Sequence, residues 1–387
     1  MIRQYKTIIY VNFSPYENAG RILDYLRTKF KTILLFSFNF HHLGAVHKPG
    51  TLSIYKNGKL IKTYALLDLP IRTTPSTVFL LIPIRSFLNL LQIWYYVIRL
   101  KNQYGPYDIY FTVNAFTAWV GNLLKKYRFV KKTIFWVWDY YPPSHPNKIV
   151  SLVRWNYWQF DKKASQESDT VAFLHLKLQE LRMKINALPK HDTLVVPIGT
   201  SVNPLRKSKR DLTAPIIGFL GVLKKTQGLD IFFDNAQRIH ELFPNLTCEI
   251  IGSGPDEQYF REKAGKSQVP VKFYGYIPDY QKVKNIQKQW HIGIAPYVPE
   301  ESNVSYYTDN SKIKDYLSLG IPVIVTPISL AGEIRRSRAG IVFNYTRKQE
   351  FVRAIGTILS RYNSYQINAK NLADRYDYKK IYVRLFE

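Results

Sequence analysis

Residues 311–325 set a helix, a stop and a buried strand end to end, and this is the most informative stretch of the chain. Ile313, Tyr316, Leu317 and Gly320 recur at helical spacing, Gly320 ends the helix, and Val323, Ile324 and Val325 make a short apolar strand. Asp315 falls near the start of this helix. A carboxylate there suits the helix dipole and can accept hydrogen bonds from sugar hydroxyls. An ordinary helix-to-strand junction accounts for the same residues equally well.

The alternation is not local. Strand patterns at 7–13, 33–38, 108–113, 133–137, 170–174 and 193–196 are separated by helical patterns that include 20–29, 115–127 and 150–164. Strands that alternate with helices argue for parallel sheets covered by helices. A hairpin is expected at Asn57-Gly58, between 52–55 and 60–64. Between 202 and 215, prolines and basic residues read as a linker. A second series then begins: strand 216–219, helix 228–242, strand 247–251, helix 255–264, strand 271–273, helix 280–289, strand 292–295, helix 312–319 and strand 322–325. The expected fold class is α/β, two doubly wound Rossmann-like domains facing a cleft. The expected domains are 1–205 and 206–370, with a C-terminal helix over 371–387 packing back towards the first. In such sheets a ligand sits outside the carboxyl ends of the strands, so the loops after each strand are the places to inspect.

Charge narrows the partners. The net charge is +27, and residues 1–205 hold 27 Lys and Arg against 10 Asp and Glu, an excess of 27 − 10 = +17. Such a field attracts phosphates, nucleic acid or an anionic leaflet. No block of five or six like charges appears, which counts against a nucleic-acid tail. A generic lysine-rich surface gives the same total. The single cysteine, Cys248, excludes an internal disulfide and a cysteine-only zinc site, and reads as a buried filler in its strand.

The run at 7–13 lacks the cleavage pattern of a secretion signal and reads as a strand. Residues 78–100 are apolar enough to suggest a membrane span, yet Arg85, Asn89, Gln92 and Arg99 recur as one polar stripe, with Leu88, Leu91, Trp94, Tyr95 and Ile98 away from it. This reads as an amphipathic helix from about Pro83, packed on a sheet or lying on a membrane.

Three glycine-bearing loops follow strands in the second half. Gly221 and Gly228 permit turns, and Lys224 or Lys225 offers an ammonium at the next helix start, a plausible diphosphate cradle. Gly252-Ser253-Gly254 lets backbone approach a ligand or a neighbouring loop closely. Tyr276 and Ile277 close the third, after Gly275. In the first half, a loop with Asn18 and Gly20 follows strand one, and Asp139 follows another strand, where it could orient or deprotonate a hydroxyl or simply cap its loop. His145 is a second candidate there. His41, His42 and His47 lack acidic partners and helical spacing, and no P-loop or nucleophile elbow is present.

The ordered set from 216 to 325 resembles GT-B glycosyltransferases of family 4. The resemblance implies a retaining, metal-independent transfer from a nucleotide-diphosphate sugar, which is a co-substrate, with no cofactor. It implies that Gly221, Lys224, Lys225, Gly252, Ser253, Gly254, Tyr276, Ile277, Ser311, Lys312 and Asp315 bind the donor, and that Asp315 holds the ribose. Asn18 and Gly20 would stand near phosphates or acceptor, and Asp139 at the catalytic centre. Three positions depart from the family pattern. Val222 and Gln227 stand where an Arg and a Lys are usual, and Tyr307 stands where the first of two paired carboxylates is usual, with Glu300 and Glu301 in the same loop as substitutes.

The reading that follows is a transferase acting on a glycan or lipid-linked acceptor in cell-surface polysaccharide or glycolipid synthesis. It would be cytoplasmic and held peripherally on an anionic inner membrane face. An inactive membrane scaffold of the same fold, and a basic polyanion-binding protein, are the alternatives. Nucleic acid is disfavoured as a partner because it leaves Asp315 and the glycine loops idle.

Overall fold

The computed structural model describes residues 6–12, 18–38, 49–69, 78–138, 140–141, 145–186, 193–202, 210–300, 303 and 309–387, with backbone alone at 78–80. It divides into two units, residues 1–197 with 381–387, and residues 198–380. The division falls before the expected linker, whose residues 203–209 lie outside the described set.

The first unit is built on β1 (Thr7–Asn12), β2 (Thr32–Ser37), β3 (Thr51–Lys56), β4 (Lys59–Ala65), β5 (Tyr107–Thr112), β6 (Val130–Val137), β7 (Thr170–Phe173) and β8 (Thr193–Val195). They form one sheet in the order β4-β3-β2-β1-β5-β6-β7-β8, parallel except at the β2–β3 and β3–β4 pairings. Strand β1 is central, with Ile8, Ile9, Tyr10 and Val11 fully buried, as a strand covered on both faces requires. The β3–β4 hairpin turns at Asn57-Gly58, where both residues have positive φ, the geometry that makes this dipeptide a hairpin signal.

Helices α1 (Ile22–Lys29), α2 (Val78–Tyr104), α3 (Ala115–Lys126), α4 (Lys148–Glu167) and α5 (Leu176–Asn186) complete the layers. The chain leaves β1 for β2 through α1, then returns past β1 to β5 and steps outward to β6 and β7. With right-handed crossovers, α1 covers one sheet face and α2, α3 and α4 the other. Residues 381–387 rejoin this unit. Tyr382 sits edge-on against Trp136 at 5.3 Å and donates from its hydroxyl to Gly20 O, and Phe386 packs on Tyr25, Phe30 and Phe111.

Helix α2 departs from expectation twice. It starts at Val78, ahead of Pro83, and three of the four residues of its polar stripe face inward, Arg99 staying exposed. Arg85, Asn89 and Gln92 are buried, whereas Leu91, Tyr95 and Ile98 are exposed. The reason is the neighbouring segment at 66–69, which follows β4 without pairing as a strand, so its backbone groups need other partners. Gln92 accepts from Leu67 N at 2.6 Å and donates to Leu67 O at 3.0 Å, and Arg85 donates to Leu69 O at 3.2 Å. Half-buried Trp94 packs on Tyr127 and Phe129.

The second unit carries β9 (Ile216–Leu220), β10 (Thr247–Ile251), β11 (Val271–Gly275), β12 (Ile292–Ala295), β13 (Val323–Val325) and β14 (Gly340–Val342). This all-parallel sheet has the order β11-β10-β9-β12-β13-β14. The expected helix at 228–242 is broken into α6 (Asp230–Phe233) and α7 (Ala236–Leu242). After them come α8 (Glu257–Gly265), α9 (Tyr280–Gln287), α10 (Ser311–Ser318), α11 (Ala331–Ser337), α12 (Lys348–Ser360) and α13 (Tyr362–Asp374). The expected single helix at the end of the chain is instead α13 followed by two short turns, α14 (Tyr378–Ile381) and α15 (Val383–Phe386). Cys248 is buried among Ile250, Phe260 and Val269 and its neighbours, which raises its thiol above the ordinary range, consistent with a filler role.

Candidate functional site

In the second sheet the strand order reverses at β9 and β12, so the loops that leave these two strands diverge and open a crevice at their carboxyl ends. The glycine loop leaves β9, and α10 begins at the end of the segment that follows β12.

Residues Lys312, Asp315 and Tyr316 lie at offsets of three and four and share one face of α10. Each meets a different loop. Tyr316 is buried, and its hydroxyl accepts from Leu220 N at 2.7 Å, at the start of the glycine loop. Lys312 Nζ donates to Gln227 Oε1 at 3.1 Å and lies over the rings of Tyr297 and Phe219, at 4.6 and 5.0 Å. It comes so near the glycine loop that a Cβ on Gly221 would stand 2.7 Å from it. Burial in this aromatic nest pushes its ammonium down to about 7. Gln227 of the glycine loop is therefore the acceptor for a lysine supplied by α10.

Asp315 accepts from Tyr280 Oη at 2.8 Å and from Thr200 Oγ1 at 3.0 Å, both through Oδ1. Burial raises its carboxyl, while Lys284 and these two hydroxyls pull it back. It stands in the second turn of α10, later than expected. Next to it, Lys314 is buried in an ion pair with Asp309 and donates to Ile198 O at 2.7 Å. Asp309 accepts from Ile198 N at 2.7 Å. The pair fixes the approach to α10 from both backbone groups of Ile198, and no residue pattern in the sequence announced it.

The Gly252-Ser253-Gly254 turn braces the glycine loop through its backbone. Gly221 N donates to Ile251 O and Leu223 N to Ser253 O, each at 3.0 Å, and Gly252 N donates to Gly275 O at 2.8 Å. Asp256 adds a side-chain acceptor for Lys225 N at 2.8 Å. The ammonium groups of the two loop lysines do not converge as Lys312 does. Lys224 is exposed, and Lys225 Nζ sits 4.3 Å above the Tyr259 ring. Tyr276 is exposed and Ile277 half-buried beyond Gly275, while Ser311 opens α10 and is exposed.

In the first unit, Asn18 exchanges bonds with Asp24, from Nδ2 to Oδ2 at 3.1 Å and from Asp24 N to Oδ1 at 3.2 Å, so it serves as the brace of α1. Gly20 has a positive φ of 61° and is held by Tyr382. His145 is exposed and bonded within its own turn to Asn147 N. Asp139, His41, His42, His47, Glu301 and Tyr307 lie outside the described residues.

Residues 214–361 match the family of glycosyl transferases, group 1. The full chain resembles HepE of Anabaena in its complex with UDP, at a TM-score of 0.64 and 14% identity over 98% of both chains. It also resembles sucrose-phosphate synthase from Thermosynechococcus elongatus, at 0.68 and 14% identity over 98% of this chain and 97% of that one. A third likeness is to a trehalose-6-phosphate protein from E. coli bound with UDP-2-fluoro glucose, at 0.65 and 13% identity over 99% of both.

The chain has the GT-B fold of these proteins, and its residues 214–361 are similar to group 1 glycosyl transferases. By sequence, no curated protein matches it. At identities this low the solved structures fix the chain's fold and nothing finer. The match to the group 1 family covers the unit that holds the glycine loop and α10.

Proposed function

We propose that this chain is a glycosyltransferase that moves a sugar from a nucleotide-diphosphate donor to a hydroxyl of a glycan or lipid-linked acceptor, with retention and without a metal, in the synthesis of cell-surface polysaccharide or glycolipid. The observation that carries the donor half is the single face of α10 on which Lys312 reaches the glycine loop and Asp315 stands ready for a sugar hydroxyl. In this reading Lys312, the free amides at the start of α10 and the glycine-loop backbone stabilise the charge that develops on the leaving diphosphate. Asp315 takes the ribose hydroxyls, for which its Oδ2 is suited because both hydroxyl donors use Oδ1. The base lies against the backbone from Gly275 to Ile277. Asp139 is the candidate for orienting the acceptor hydroxyl. HepE and the trehalose-6-phosphate protein were both solved with uridine nucleotides, so UDP is the first ligand to try.

A screen of UDP-, GDP- and ADP-sugars by thermal stabilisation, followed by assay of nucleotide release, tests the assignment. Absence of any nucleotide binding would remove it. For Asp315→Asn the expected loss is about 1.5–3 kcal/mol, the range for a hydrogen bond to a charged group, or roughly 10- to 150-fold in Kd for UDP. Calorimetric titration measures it, and an unchanged Kd would return Asp315 to a purely helical role.

Binding should also take up a proton. Free Lys312 titrates near 7, and a diphosphate favours its charged form, so the bound lysine titrates higher. Affinity should be full below pH 7 and decline as pH rises through 7. Titrations at pH 8 in buffers of different ionisation heat should show an uptake approaching one proton, against nearly none at pH 6. Zero uptake at pH 8 would place the ammonium away from the phosphates.

A further inference from the structure

The first unit turns an apolar helix face towards solvent. On α2, Ile84, Phe87, Leu91, Tyr95 and Ile98 are each about half exposed, from 48% to 62%. Their offsets of three, four, four and three fall within one narrow arc, opposite the buried Ile93, Val97 and Leu100, with the buried Arg85, Asn89 and Gln92 to one side. Helix α2 contains no acidic residue, and its exposed residues include Arg99 and Lys101 at the end of the stripe.

A second set stands on α4. Ile149, Leu152 and Trp155 recur every three residues along its first turns and are exposed at 48%, 64% and 60%. Lys148 precedes them and Lys162 and Lys163 follow, all exposed, and no acidic residue falls between 148 and 160. Helices α2 and α4 cover the same sheet face and touch each other. An apolar face repeated on two helices of one layer is more than the scattered exposed leucines of an ordinary surface.

We infer that the outward face of α2 and α4 is a docking surface for an anionic lipid bilayer, lying in the plane of the headgroups. Three observations select this occupant. The exposed apolar side chains include aromatic Tyr95 and Trp155, which suit the boundary between acyl chains and headgroups. The exposed charged residues flanking them include Arg99, Lys101, Lys148 and Lys162, with Lys163 paired to Glu167, and residues 1–205 carry an excess of +17, which complements anionic headgroups. The remaining alternative for so apolar a helix, a membrane crossing, fails on its other side. Residues 81–104 are long and apolar enough to cross, but Arg85 and Gln92 are buried and bonded to the backbone of 67–69, which ties α2 into the sheet layer.

Flotation of the full chain with phosphatidylglycerol–phosphatidylcholine vesicles, and with phosphatidylcholine alone, tests this without reference to the donor site. The wild-type chain should float with the anionic vesicles, at least tenfold better than with neutral ones, and less well as salt rises. The double variant Phe87→Glu/Leu91→Glu should lose flotation at least tenfold while keeping its melting temperature, because both side chains already face outward. Trp155→Glu should lose part of it independently. No flotation of the wild type, equal recovery on both lipids, or an unaffected double variant would each overturn the proposal. A concentration-dependent dimer that the double variant abolishes, without vesicle binding, would assign the face to a second copy of the chain instead.

Discussion

Alanine at Gly252 should cost the second unit about 3–5 kcal/mol and abolish nucleotide binding with it. Gly252 has φ of +132°, a conformation that side-chain-bearing residues rarely adopt, and a Cβ there would fall 1.9 Å from Gly221 O. Strain of this kind costs roughly 1–3 kcal/mol, and forcing an added methyl into packed structure costs a similar amount. The displaced atom belongs to the glycine loop, so the loop cannot keep its place beside Lys312. Denaturant unfolding together with UDP titration measures both effects. Ser253→Ala is the matched control: the turn uses the Ser253 carbonyl and not its hydroxyl, so stability should change by less than about 0.5 kcal/mol. A Gly252→Ala protein of unchanged stability would mean that the glycine loop moves freely and is not braced by this turn.

Lys312→Met should lower turnover by roughly 10²–10³-fold, the range for removing one preorganised donor from a developing negative charge. The same change should stabilise the protein near pH 6. Because burial lowers the folded-state value to about 7, against about 10.4 for a free lysine, the folded chain is penalised wherever the unfolded lysine is charged and the folded one must follow. That penalty is fully present below pH 7 and fades as pH rises from 7 towards 10.4. The stabilisation by Met should therefore shrink over the same interval. Loss of activity with gain of stability is the signature of a charged group held for function. Lys224→Ala/Lys225→Ala should cost less than tenfold, since neither ammonium converges on the site as Lys312 does. Reversal of that order would return the cradle to the loop lysines.

The contrast between these lysines shows what was legible in the sequence. The α/β class, the parallel pairings of both sheets and the hairpin at Asn57-Gly58 follow from local periodicity and turn chemistry, and each was readable without knowing any neighbour. The helix carrying Lys312 and Asp315 was readable for the same reason. Which lysine would lie beside Gly221 was not, because proximity to the glycine loop depends on how α10 packs against the β9 loop, through Tyr316 and Leu220 N. Nor could the sequence show that Lys314 is tied to Asp309 and Ile198.

Helix α2 illustrates the opposite failure. Ile93, Val97 and Leu100 turn one apolar side of it into the core. The backbone of 67–69 also claims Arg85 and Gln92 from the expected polar stripe, while Arg99 of that stripe and Leu91, Tyr95 and Ile98 are left outside. Composition alone cannot reveal that competition, since Gln92 and Leu67 are 25 positions apart.

The return of residues 381–387 to the first unit sets an order of events during synthesis. Tyr382 and Phe386 fill places between Trp136, Phe111 and Tyr25, yet they leave the ribosome only after the whole of 198–380 has emerged. The nascent first unit must therefore wait with an open aromatic seam while the second unit, uninterrupted in the chain, can complete its own sheet. Maturation closes from the far end: the second unit is the first to be finished, and the first unit the last.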